Sequence, residues 1–222
     1  NSPMKKFTLI TLFAIITSLV LIGCKKESSS DIGGDQSSIG EIGNNFSISS
    51  LSGISNISAT VSKLENGIST IRVSGTITDP NIKALAATMT NVAFGSYDEA
   101  TGNFTGDLKM KFTKDGIADQ LDADGKLFTL AKFDGKVGDT YSCENALGGT
   151  YTRSVTAKSD VDDFPYGFYN IKTMTIEGAG RFNGAIKNIK YRVNHRFGLV
   201  YITFVLQDGS EISSYVYSTA EN

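Results

Sequence analysis

His195 is the single histidine of the chain. It shares parity with Ile189, Tyr191 and Val193 along an alternating segment, which predicts an inward position near a strand end. An imidazole there has the chemistry of a general base. Acyl transfer would also need a nucleophile, and the sequence has neither a G-x-S-x-G elbow nor any context joining Cys143 to His195. The residues favour a hydrogen-bonded structural histidine over a catalytic one, and no catalytic set is assigned. Tyr201, Tyr215 and Tyr217, with Tyr166, Phe168 and Tyr169 from a preceding loop, offer apolar rings with polar tips, suited to a sugar or a hydrophobic ligand. Cross-strand aromatic pairs also stabilise sheets without any ligand, so both roles stay open. The candidate binding residues are thus Tyr201, Tyr215, Tyr217, Tyr166, Tyr169 and His195.

Other polar clusters fall short of a site. The run Gln120, Leu121, Asp122, Ala123, Asp124, Gly125 resembles part of a calcium loop, but Gln120 fills the first ligand slot and Ala131 stands where the bidentate Glu belongs. Asp160, Asp162 and Asp163 form a second acidic loop before Phe164 and Pro165, and both runs read as solvated turns. Gly178, Gly180 and Gly184 miss the dinucleotide spacing and read as a turn. One histidine and one spare cysteine are too few ligands for zinc, so neither metal nor cofactor is expected.

Cys24 has a different chemistry. Lys5 and Lys6 precede an apolar run from Phe7 to Ile22, the layout of a secretory signal peptide. The run ends in Leu21, Ile22, Gly23, Cys24, which resembles the bacterial lipoprotein signal. In that family the thiol is acylated and the chain is cut just before it. The resemblance implies that Cys24 is the lipidated first residue of an outer-membrane protein facing the periplasm or the exterior. The apolar run is also near the minimum length of a membrane span, and the small residue followed by cysteine favours the lipoprotein reading. Asn1, Ser2 and Pro3 precede Met4 and read as residues ahead of the natural start. Lys25, Lys26 and Glu27 are similar to the surface-export signals of Bacteroidota lipoproteins but lack their acidic run; a solvated linker start accounts for them equally well.

Removing residues 1–23 takes away Lys5 and Lys6 but no acid, leaving 21 − 2 = 19 basic against 23 acidic residues and a net charge near −4. That balance argues against a nucleic-acid partner. With Cys24 acylated only Cys143 remains, so no intramolecular disulfide is expected and the core must supply stability. Residues 24–45, rich in Ser, Gly, Asp and Gln, read as a lipidated cysteine and flexible tether, and 46–222 as a single domain.

The elements that must position these residues are mostly strands. Ile57, Ala59, Val61 and Ile71, Val73, Ile77 alternate with polar residues around Glu65, Asn66, Gly67, a hairpin pattern. Asp79 and Pro80 suit a helix start, with Ile82, Leu85, Ala86 and Met89 on one face. Gly95 to Gly106 reads as a loop, and Leu108, Met110 and Phe112 alternate after it. Further strands are expected at 127–133, 140–143, 151–158, 168–177, 186–195, 199–207 and 211–217. An odd loop around Gln207, Asp208, Gly209 would align Val200, Ile202, Phe204 with Ile212, Ser214, Val216 and leave Tyr201, Thr203, Tyr215 and Tyr217 on the other face.

Lys136 to Thr140, the run Asn194 to Val200, and Asp208–Gly209 are similar to recurrent phrases in β-rich lipoproteins of Bacteroidota. That likeness covers the last ninety or so residues and implies a secreted β-rich domain with no catalytic residues. The expected fold is mainly β, an antiparallel β-sandwich or strongly curved sheet or half-barrel with one short α-helix packed on it. The expected function is non-catalytic binding of a hydrophobic ligand or glycan at the envelope, or a structural module for an envelope protein partner; a hydrolase using His195 ranks below both. An interior acyl-chain carrier would need a pocket lined by Phe104, Met110 and Phe112.

Overall fold

The computed structural model describes residues 24–27, 32–49, 53–80, 83, 96–120, 127–145, 150–179, 186–206 and 208–222. Strands dominate. In chain order they are β1 (Cys24–Glu27), β2 (Asn45–Ile48), β3 (Ile54–Glu65), β4 (Ile68–Ile77), β5 (Ser96–Tyr97), β6 (Asn103–Phe112), β7 (Gly116–Gln120) and β8 (Leu127–Lys132). There follow β9 (Thr140–Asn145), β10 (Thr150–Lys158), β11 (Phe164–Tyr166), β12 (Tyr169–Ile171), β13 (Met174–Ala179), β14 (Ile186–Asn194), β15 (Gly198–Leu206) and β16 (Glu211–Ser218).

Fourteen of these form one antiparallel sheet in the order β1-β9-β10-β13-β14-β15-β16-β2-β3-β4-β6-β7-β8, with β5 added beside β6. The sheet curls until it nearly closes as a barrel. Alternate residues face a common interior, where Val61, Ile71, Ile77, Phe104, Phe112, Ile117, Val155, Ile176, Ile189 and Val193 pack in one cluster. Side chains from the last strands span the remaining seam: the Lys132 N–H donates to the Tyr141 hydroxyl (3.3 Å), and Lys158 Nζ donates to Gly135 O (2.8 Å).

The hairpin at Asn66–Gly67 forms as the sequence predicts. Both residues are left-handed (φ 51° and 74°), the requirement of a two-residue turn that matches strand twist. The C-terminal register also agrees, with Phe204 opposite Ile212, Ile202 opposite Ser214 and Tyr201 opposite Tyr215.

Several boundaries differ. Residues 32–44, read as tether, belong to the folded body: Ile32 and Ile39 are buried, and a 3-10 turn at Ser38–Gly40 lies across one end of the barrel. Scattered isoleucines in a polar stretch have no period, so nothing local signalled that both were core residues. Gly95–Gly106 is not a continuous loop, because β5 and the start of β6 pair within it; Gly102 is left-handed (φ 79°), and a Cβ there would lie 2.3 Å from Ile77 O. The predicted strand 168–177 breaks into β12 and β13, with Phe168 in a turn. At the predicted helix, Pro80 and Lys83 are helical and the Lys83 N–H donates to Asp79 O (3.0 Å); Ile82, Leu85, Ala86 and Met89 lie outside the described residues, as do Asp122, Asp124, Gly180, Gly184 and the leader.

Candidate functional site

A second apolar cluster sits outside the barrel. β11 and β12 form a two-stranded hairpin joined by Gly167 (φ 63°) and Phe168, and it lies over the outer face of β14, β15 and β16. Phe164 packs against Tyr201 (5.6 Å between centroids) and Tyr215 (5.9 Å), with the Arg192 guanidinium 4.7 Å over its ring. Tyr166 stacks on Tyr217 (4.8 Å) and meets Phe197 at 5.1 Å, and its hydroxyl donates to Val216 O (2.9 Å). Burial pushes the Tyr166 phenol up to about 12, against a smaller downward pull from a backbone hydrogen bond at Ser218.

The five tyrosines singled out in the sequence are therefore brought together, but not as an open platform. Tyr201 and Tyr215 meet edge to face at 4.7 Å, Tyr215 and Tyr217 lie nearly parallel at 5.7 Å, and all three are half-buried beneath the hairpin. Their faces are occupied by one another and by Phe164 and Tyr166. What remains open is the tip. Phe168 is fully exposed (106 %) and Tyr169 half so (50 %), with one side against Phe197 at 5.9 Å; Val161, in the loop before the hairpin, is also exposed.

His195 is not where its parity placed it. β14 ends at Asn194, and His195 lies exposed in the turn that follows. The break has a local cause: the buried Asn194 side chain accepts from the N–H groups of Arg196 (2.8 Å) and Phe197 (3.1 Å), so the chain turns before the alternation can continue. Gly178 is likewise not in a turn but within β13, where a Cβ would lie 2.7 Å from the Tyr151 hydroxyl. Asp160, Asp162 and Asp163 are exposed, and Asp163 accepts from Ser159 Oγ (2.8 Å). Among the described residues no group of three His, Cys, Asp or Glu side chains could hold a metal ion.

Cys143 overturns the expectation of no disulfide: it is buried beside Phe128 and Tyr151 and is disulfide-bonded. The backbone of β1 runs along β9, where Cys143 sits. The sequence contains two cysteines, so a disulfide at Cys143 and an acylated Cys24 exclude each other. The expectation rested on the acylated form.

A buried charge pair was missed altogether. Arg153 of β10 is wholly buried and grips Asp119 of β7 with two bonds, Nη1 to Oδ1 (3.1 Å) and Nη2 to Oδ2 (2.6 Å). Nη1 also donates to Thr129 O (3.0 Å) on β8, and the guanidinium lies 4.2 Å over the Phe128 ring. Burial works to lower the arginine pKa, but the Asp119 carboxylate together with Tyr151 and Tyr191 outweighs it and the value is raised, so Arg153 stays charged. The signal was available: Arg153 shares parity with the buried Tyr151 and Val155, and a charge on an apolar phase needs an internal partner. The pair joins β10 to β7 and β8 across the seam, which is a structural task.

Comparison of the chain with protein-family models, with curated proteins and with solved structures gave no match.

Proposed function

We propose that this is an envelope lipoprotein, anchored through Cys24, whose β domain binds rather than catalyses, and that the contact is made by the tip of the β11–β12 hairpin. The observation that carries the reading is the full exposure of Phe168 beside the half-exposed Tyr169, mounted on a stack of buried rings. A large apolar side chain held in water on a well-packed support is a surface kept for an apolar contact. An interior carrier finds less support, because Phe104 and Phe112 belong to the packed core and Met110 packs against it. A glycan platform built on Tyr201, Tyr215 and Tyr217 is disfavoured in the same way, since their faces are covered.

The test is binding of an apolar fluorophore such as anilinonaphthalene sulfonate to the mature protein. Phe168→Ser with Tyr169→Ser should abolish the fluorescence gain while shifting stability by no more than about 0.5 kcal/mol, as expected of exposed positions. Undiminished dye binding by the double variant would place the apolar contact elsewhere.

A further inference from the structure

We infer that Cys143 and Cys24 form a redox latch that competes with acylation: while the two are joined, β1 is locked on β9 and Cys24 is closed to a lipid. This deepens the anchor reading above and rests on it. Cys143 is disulfide-bonded, and among the described residues no cysteine is free. The chain has two cysteines, so the partner within it is Cys24. The backbone brings the two together independently. β9 pairs with β10 along one edge and with β1 along the other, where Cys24 stands opposite Asn145 and Glu27 opposite Cys143, the register shifting between them.

The pairing itself points to a covalent hold. β1 is Cys-Lys-Lys-Glu, four residues without a β-branched or aromatic side chain, and such a sequence has little tendency to form a strand. Its place on β9 is what a crosslink at its first residue would enforce. Cys143 supplies the fixed half of that crosslink, 7 % exposed and packed against Phe128 and Tyr151. A disulfide so sheltered is slow to meet dissolved thiols, and it persists until a reductant reaches it.

The choice is made at one sulfur. In oxidation, the Cys24 thiolate attacks a disulfide-bearing oxidant of the envelope, and the Cys143 thiolate then attacks the Cys24 sulfur and displaces the oxidant. The pair gives up two electrons as its S–S bond forms, and the oxidant leaves as two thiols carrying the two protons. In acylation, the Cys24 sulfur instead forms a carbon–sulfur bond to a lipid donor; the donor's bond to its headgroup breaks, and the thiol proton leaves with the headgroup. A sulfur spent in one reaction is closed to the other. Only the disulfide reverses, through a reductant that returns the two electrons. The outcome is set by whether Cys24 meets the lipid donor first or the oxidant after β1 has settled on β9.

The test uses the full chain, overproduced in a Gram-negative cell beyond its capacity to acylate, with and without dithiothreitol in the medium, beside Cys143→Ser and Cys143→Ala. Intact mass after thiol alkylation separates acylated, joined and open chains. The expected result is that non-acylated wild-type chain has its cysteines joined and that dithiothreitol shifts it to the acylated form. Both variants should be more acylated than wild type without dithiothreitol and gain nothing from it. A second readout is trypsin cleavage at Lys25 and Lys26 in purified non-acylated chain held in detergent: slow when oxidised and rapid once reduced, because a paired strand is closed to the protease. Non-acylated wild type with open thiols, equal cleavage in both redox states, or equal acylation of all three proteins with and without dithiothreitol would overturn this inference alone. Absence of acyl mass from every protein in both media would overturn the anchor reading and this inference with it.

Discussion

Arg153 and Asp119 show how a single pair can hold a curved sheet closed. Burying a guanidinium and a carboxylate is costly, and the cost is met by two mutual bonds, a backbone carbonyl of β8 and the Phe128 ring. Arg153 Nε is buried with no acceptor, so the site is not fully satisfied even so. Arg153→Met should leave the Asp119 carboxylate buried without its partner and destabilise the fold by about 3–5 kcal/mol in urea titration. Arg153→Met with Asp119→Leu should recover most of that loss, because an apolar pair of similar volume needs no compensation. A double variant no more stable than the single one would show that the charges do more than satisfy each other.

The β11–β12 hairpin is held to the barrel mainly by rings, and its docking should depend on pH through Tyr166. The folded-state pKa of that phenol, about 12, lies above its ordinary value of 10.0. Its contribution is therefore complete below pH 10 and is lost as pH rises through about 12. Near-ultraviolet circular dichroism of the tyrosine cluster should stay constant up to pH 10 and fall beyond it, and Tyr166→Phe should weaken the fall. Loss of the signal at neutral pH, or an unchanged profile in the variant, would contradict this docking account. The strands beneath the hairpin were legible because β14, β15 and β16 are long and their turns carry clear signals; even the tyrosine face followed from an odd loop at Asp208–Gly209. The hairpin itself was not. Phe164, Tyr166, Tyr169 and Ile171 read as the approach to, and part of, one long strand, since three-residue strands are too short to establish a period. Its covering of Tyr201, Tyr215 and Tyr217 is a tertiary fact with no local trace. β7 was missed for a related reason, its Gly-Ile-Ala-Asp-Gln being too short and too mixed to alternate.

At the scale of the whole molecule, composition and turn chemistry reveal a mainly β chain but leave open whether it stacks as a sandwich or curls as a barrel. That choice is made by pairings distant in sequence, above all Val216 with Ile48, which joins the last strand to the second and carries the sheet round. The same distance effect hid residues 32–44, whose Ile32 and Ile39 have meaning only once a barrel end exists for them to occupy. We propose that this barrel sits on a lipid anchor at Cys24 with its aromatic hairpin available for contact. The most direct measurement is the intact mass of the protein from a Gram-negative membrane fraction, taken with alkylation of thiols before any reduction. The account predicts a chain that begins at Cys24, carries the mass of a diacylglyceryl group, and has Cys143 free to alkylate. A chain without acyl mass, with its two cysteines joined and neither open to alkylation, would contradict it.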